Sequence, residues 1–189
     1  MVIVDPKYVA RTERLLIRPL RPEDAEDVVL MRKDPEVMKH SPLIATGDLQ
    51  KTKDWIQGCH DRDNNWNFAV ELLSDNDHPI ANHPRVIGLV GAVRIPEIGY
   101  MFNTSYWGRG YATEALRAFM PMFFEYFSNE ANGRHEYAEA LTDTELISSQ
   151  NVLQKAGFRL YETREKDFEN PVLGLRDTMV YRMDRESAL

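Results

Sequence analysis

The sequence predicts a mixed α/β (α+β) fold, with strand-like and helix-like stretches alternating along 189 residues. Three observations predict it. The run RVIGLVGAVRI (residues 85–95) is apolar on both faces, as a central strand covered on both sides must be. After Gly110 the residues Ala112, Ala115, Leu116, Phe119, Met120, Phe123 and Phe127 recur at threes and fours, the stripe of an amphipathic helix. No internal repeat, heptad or Ser/Gly linker breaks the alternation, so residues 1–189 read as one domain.

In chain order, ERLLIRPL (13–20) reads as a first strand, and RPEDAEDVVLMRKD (21–34) as a helix opened by Pro22 and acidic residues. GDLQKTKDWIQGCHD (47–61) has Leu49, Trp55, Ile56 and Cys59 at helical spacing. Trp66, Phe68, Val70 and Leu72 alternate with Asn67, Ala69 and Glu71, the period of a half-buried strand. A polar loop (74–84) precedes the central strand, in which Gly88 and Gly91 allow close approach. PEIGYMFN (96–103) follows as the fourth strand. Pro121 interrupts the long helix and is expected to kink it or start a second segment. HEYAEALT (135–142) is a strand, ELISSQNVLQKAG (145–157) a helix ending on Gly157 in a left-handed cap, and FRLYETRE (158–165) and RDTMVYRMD (176–184) are the last two strands.

Composition excludes several classes. A net charge of −7 opposes capture of nucleic acid, which needs clustered Lys and Arg, although a local basic funnel for a small anion remains open. No segment approaches a membrane span, and the lone Cys59 cannot form an internal disulfide, so a cytoplasmic protein with a packed thiol is expected. His40, His78, His83 and His135 lack ligand spacing with one another or with Cys59, and His60 is equally bland, so no metal is expected. The run FMPMFFEYF (119–127) reads as core.

NTSYWGRGYATEALRAFM (103–120) carries the chemistry. Glycines let backbone N–H groups approach a ligand, and the first turn of a helix offers unpaired donors with partial positive charge, which suits a phosphate. No Gly-Lys-Ser/Thr follows, and Thr113 stands where a dinucleotide fingerprint has its third glycine, so neither standard nucleotide motif fits. EIGYMFNTSYWGRGYATEAL (97–116) resembles the acetyl-CoA-binding segment of the GCN5-related N-acetyltransferase (GNAT) superfamily, especially its ribosomal-protein N-terminal acetyltransferase-like subgroup. SSQNVLQKAGF (148–158) resembles that subgroup's later helix-and-strand motif, matched at Lys155, Gly157 and Phe158, and TERLLIRPLRPEDAEDV (12–28) and MVYRM (179–183) resemble its first and last elements.

The resemblance implies a mixed, mostly antiparallel sheet of about seven strands, splayed between the fourth and fifth, flanked by helices and holding acetyl-CoA in the cleft. The pyrophosphate would rest on the N–H groups of Gly108, Arg109, Gly110, Tyr111 and Ala112, with Thr113 as a side-chain donor. Pantetheine would pair like an added strand with Tyr100, Met101, Phe102 and Asn103. Ser105 stands where the family often has Gln or Arg. Leu146 stands where the subgroup usually has a cofactor-contacting Asn, with Asn151 as a conceivable substitute.

Transfer to an amine requires its neutral form, although free amines have pKa values of about 8 to about 10. Glu97 heads the fourth strand on the face of Gly99, Met101 and Asn103, and burial there would make it a workable base; a solvated strand-end carboxylate is the alternative. By resemblance, the N–H of Met101 or Phe102 would receive the oxyanion, and Ser149 would serve the departing thiolate; a plain helix serine is the alternative. Acceptor specificity would come from residues 31–58 and 168–176. The implied activity is acetyl transfer to a small amine or a protein N-terminus by direct attack in a ternary complex, in a monomer or homodimer without nucleic-acid or membrane partners. The rival is a catalytically silent acyl-CoA-binding or scaffold module, for which Leu146 is the motive.

Overall fold

The computed structural model describes residues 8–73, 85–128 and 133–188; the polar loop of residues 74–84, with His78 and His83, lies outside them. The elements are β1 (Ala10–Arg11), β2 (Leu15–Pro19), α1 (Ala25–Arg32), α2 (Pro35–Met38), α3 (Leu49–His60), β3 (Trp66–Leu72), β4 (Val86–Arg94), β5 (Glu97–Phe102), α4 (Tyr111–Tyr126), β6 (Tyr137–Asp143), α5 (Ile147–Ala156), β7 (Arg159–Asn170), β8 (Gly174–Asp184) and α6 (Arg185–Ala188). The strands form one sheet of eight in the order β1-β2-β3-β4-β5-β6-β8-β7, antiparallel everywhere except between β5 and β6. The eighth strand is the two-residue β1, too short to leave a periodic signal. The last hairpin is longer than its sequence pattern because β7 is an exposed edge, where charged residues replace alternation.

Local chemistry sets the helix starts. Asp48 accepts the Lys51 N–H to open α3, and Asp34 accepts the Glu36 N–H to open α2, where Pro35 occupies the first turn. Gly157 ends α5 at φ +108°, the left-handed cap expected from sequence.

Helices cover both faces of the sheet. On one, α1 and α3 pack Val28, Met31 and Ile56 against Leu20, Ala69, Val86 and Leu89. On the other, α4 and α5 pack Leu116, Phe119, Phe123 and Leu153 against Ile17, Trp66, Phe68 and Val90. The strand at Trp66–Leu72 is therefore buried on both faces, not half-buried. Its polar members are paired: Glu71 meets Arg18 at 2.5 Å and Asn67 bonds Asn65. The β3 backbone passes so near Gly91 that a Cβ there would lie 2.5 Å from the Trp66 carbonyl oxygen.

Pro121 does not break α4, which runs unbroken from Tyr111 to Tyr126 with Pro121 on its exposed side. A helix-interior proline costs about 3 kcal/mol. Burying Phe119, Met120, Phe123 and Phe124 contributes about 2 kcal/mol per side chain and outweighs it. Arg185 also caps the last turn, donating to the carbonyls of Phe124 at 2.6 Å and Phe127 at 2.5 Å.

Candidate active site

β5 and β6 are joined at one end only. Their register holds a single residue pair, Glu97 with Glu139, and the Glu139 N–H donates to the Pro96 carbonyl at 3.0 Å. Beyond that pair the parallel strands share no further register, and each runs into a helix: β5 into α4 and β6 into α5. The result is a wedge in the sheet with two helix N-termini at its mouth.

The backbone of β5 divides its amides between the two sides. Asn103 donates to the Ile87 carbonyl at 2.9 Å, and the register pairs Leu89 with Met101 and Gly88 with Phe102. Bonded positions alternate in an antiparallel ladder, so Met101 and Asn103 turn their N–H groups to β4, while Tyr100 and Phe102 turn theirs toward the wedge. The Trp107 indole N–H donates to the Phe102 carbonyl at 2.7 Å, fastening the start of the Gly108–Gly110 turn to the end of β5.

That turn uses the left-handed backbone at both glycines, φ +73° at Gly108 and +82° at Gly110. Gly110 caps α4 without any side-chain hydrogen bond, so the N–H groups of Tyr111, Ala112 and Thr113 head the helix uncapped. Arg14 holds the turn from the other side. Its guanidinium donates to the Arg109 carbonyl at 3.1 Å, binds Glu114 at 2.5 Å and lies 4.5 Å from the Tyr111 ring centre. Burial would raise the Glu114 carboxyl, but hydrogen bonds from Thr12 and Arg14 outweigh it and hold it below its ordinary value. Beside the turn lies an open groove of about 590 Å³, lined by Thr12, Arg14, Thr113, Glu114, Arg117 and Lys155 among others. Its three cations supply the local basic surface that net charge alone left open.

Across the wedge, the Ser149 hydroxyl of α5 lies 2.7 Å from the Tyr100 hydroxyl. Burial pushes the Tyr100 phenol up to about 12, so it is protonated at neutral pH. Composition and spacing did not single out this side chain, because strand alternation points it into the core with Ile98 and Phe102. Glu97 sits at the joined end of the wedge with its carboxylate 2.5 Å from Arg94. Leu146 caps α5 without a side-chain bond, and the Gln150 amide satisfies the Thr144 carbonyl at 2.9 Å instead. Asn151 is exposed, about 200° around the helix from Ser149. Ser105 is exposed as well, donating its N–H to the Asn103 side chain.

The two segments expected to face the acceptor meet at the mouth of the wedge. Asn170, 2% exposed, donates to the Lys39 carbonyl at 3.0 Å, while its own carbonyl accepts the N–H groups of Val172 and Leu173. The Asn-Pro turn signal at residues 170–171 could have marked it. Asp34 accepts the Thr104 hydroxyl at 2.8 Å on the β5 side, and His40 meets Asp143 at 3.1 Å on the β6 side. The α2 segment thus spans the opening.

Cys59 is buried, and burial pushes its thiol up to about 11, so it is packed and unreactive. Among the described residues no helix is long and apolar enough to cross a membrane, and no three His, Cys, Asp or Glu gather as metal ligands.

The site is thus a one-sided opening between parallel strands with a glycine-built helix N-terminus at its mouth. Residues 14–159 match the family model described as an acetyltransferase (GNAT) domain, and the chain belongs to that family. The uncharacterized N-acetyltransferase YnaD of Bacillus subtilis (strain 168) is 32% identical over 150 residues, covering 78% of this chain and 81% of YnaD. The uncharacterized N-acetyltransferase p20 of Bacillus licheniformis is 31% identical over 113 residues, 56% of this chain and 60% of p20. In fold, the chain resembles the spermidine N-acetyltransferase of Vibrio cholerae solved with CoA and spermine, at a TM-score of 0.74 and 15% identity over 94% of this chain and 99% of that one.

Proposed function

We propose that the protein transfers an acetyl group from acetyl-CoA to a primary amine by direct attack in a ternary complex. The observation that carries this reading is the uncapped α4 N-terminus, built on two left-handed glycines at the mouth of the wedge. Acetyl-CoA is a substrate of this transfer, and the residues present fit it. The N–H groups from Gly108 to Ala112 suit the pyrophosphate, and Thr113 adds a hydroxyl. The basic groove of Arg14, Arg117 and Lys155 suits a further phosphate. The N–H groups of Tyr100 and Phe102 suit the pantetheine amides and the oxyanion, a role their direction gives to Phe102 over Met101.

Ser149 donates to the departing thiolate, and Tyr100, touching its hydroxyl, fixes the orientation of that donor. Glu97 shares a strand face with Met101, on the α1 and α3 side, and its carboxylate, already paired with the exposed Arg94, would hold a cationic acceptor or a water near the joined strands by sharing or exchanging that partner. A net charge of −7 favours a cationic small amine, because complementary fields raise encounter rates. Such a polyamine matches the spermine bound in the Vibrio cholerae enzyme. We place the reaction in the cytoplasm.

Calorimetric titration with acetyl-CoA, with NAD and ATP as controls, should show selective binding in the micromolar range. No binding would move the assignment to a silent module that has lost its cofactor site at Leu146. Glu97→Gln is expected to lower turnover of a polyamine acceptor while sparing acetyl-CoA affinity, and unchanged turnover would remove Glu97 from the mechanism.

A further inference from the structure

We infer that His40 is the proton acceptor for the incoming amine and that Asp143 is its positioning residue. The inference rests on the acetyl-transfer reading and names the base of that same site. His40 follows α2, its side chain is 17% exposed, and its Nδ1 lies 3.1 Å from an Asp143 carboxylate oxygen. Asp143 is the last residue of β6. It also accepts Arg176 through two bonds, at 2.9 and 3.0 Å, and the Glu145 N–H at 2.8 Å. Arg176 in turn reaches Glu145 at 2.7 Å. Burial would raise the Asp143 carboxyl, but the Arg176, Glu145 and His40 hydrogen bonds outweigh it and hold it at about 2. Asp143 is therefore an acceptor at every working pH. Nδ1 of His40 must be the donor, and Nε2 of the neutral ring keeps its lone pair.

An imidazole whose Nδ1–H is held by a buried carboxylate is oriented for proton transfer at Nε2. Its place in the fold is the open end of the wedge. The His40–Asp143 pair stands at the free end of β6, and the Gln150 amide bonds the Asp143 and Thr144 carbonyls on the turn that leads to Ser149. The carboxylate that holds the base and the thiolate donor are thus carried on the two ends of one short connection, residues 143–149. Asp34 fastens the other end of the α2 segment beyond β5, through Thr104. Both walls of the mouth therefore hold His40 in place, whereas Glu97 stands at the joined end and is bound to Arg94.

The step balances as follows. The ammonium gives one proton to His40 Nε2, and the freed lone pair forms the N–C bond to the thioester carbonyl carbon. The C–S bond breaks with its electron pair on sulfur. The second proton lost by nitrogen reaches that sulfur through the Ser149 hydroxyl, and His40 returns its proton to water.

His40→Asn places an amide N–H where Nδ1–H stands, preserving the tie to Asp143 without a base; His40→Gln serves as a second variant should the first misfold. Acetyl-CoA titration, melting temperature and steady-state transfer to spermine are measured for wild type, both variants, Asp143→Asn and Glu97→Gln. The expected result is wild-type acetyl-CoA affinity with a kcat at least about a hundredfold lower in the His40 variants, the usual contribution of a general base. The climb of kcat/KM with pH that marks a free base is expected to vanish in them and to survive, displaced, in Asp143→Asn. Unchanged kcat and an unchanged climb in a folded His40 variant would overturn the inference while leaving acetyl transfer standing. Loss of the climb in Glu97→Gln alone would give the role to Glu97. A wild type that binds acetyl-CoA but acetylates no amine would overturn the transfer reading and this inference with it.

Discussion

Gly110→Val is expected to weaken acetyl-CoA binding by about a hundredfold or more while leaving the protein folded. Gly110 holds φ +82°, a backbone that costs an L residue about 1–2 kcal/mol and a β-branched one more. Space is not the obstacle, since an added Cβ would lie 3.6 Å from the Arg14 guanidinium, ordinary contact. The new residue must either hold the strained conformation or rotate away, and rotation moves the Gly110, Tyr111 and Ala112 N–H groups off a common focus. Hydrogen bonds to a charged group contribute about 1.5–3 kcal/mol each, so losing two removes about 3–6 kcal/mol, and each 1.4 kcal/mol is tenfold in affinity. Calorimetry with a parallel thermal melt checks it. An unchanged Kd in a folded variant would mean that the pyrophosphate rests elsewhere.

The second large effect concerns stability. Arg18→Ala should lower it by about 3–5 kcal/mol, the usual result of removing one partner from a buried ionic cluster. Arg18 is 5% exposed and binds Asp24 at 2.6 Å and Glu71 at 2.5 Å, tying β2, the start of α1 and β3 together. Burial would lower the Arg18 guanidinium, yet the bonds to Asp24 and Glu71 outweigh it and raise it, so the cation is firmly held. Alanine leaves Asp24 without that partner and Glu71 with only the more exposed Arg85 at 2.8 Å. A melting-temperature fall of about 10 °C follows for a chain of this size. The triple change Arg18→Met, Asp24→Asn and Glu71→Gln should recover much of the loss, because it leaves no uncompensated buried charge. Failure of that recovery would show that the cluster acts through packing.

The contrast between β4 and β3 shows what periodicity can reveal. Residues 85–95 are apolar throughout and could only be a covered strand. Residues 66–72 alternate, and the alternation misled because Asn67 and Glu71 are polar but buried, Asn67 satisfied by Asn65 just before the strand and Glu71 by Arg18 from 53 residues away. Pro121 shows the same limit: a local helix breaker was overruled by side chains anchored on the core to either side of it. His40 is the sharpest case. Nothing near it in sequence marks it, and its partner is 103 residues away.

Sequence alone determined the order of the longer strands and helices, though not the short β1, α2 and α6, together with the aromatic core stripe of α4 and the glycine turn ahead of it. Each depends on side-chain period or backbone freedom within a few neighbouring residues, and the family resemblance rested on those same stretches. Only the tertiary structure decided which β5 amides face the wedge, that Tyr100 meets Ser149, and that residues 34–40 close its mouth against Thr104 and Asp143. Those relations are set by strand register and by contacts between distant segments, which a one-dimensional pattern does not encode.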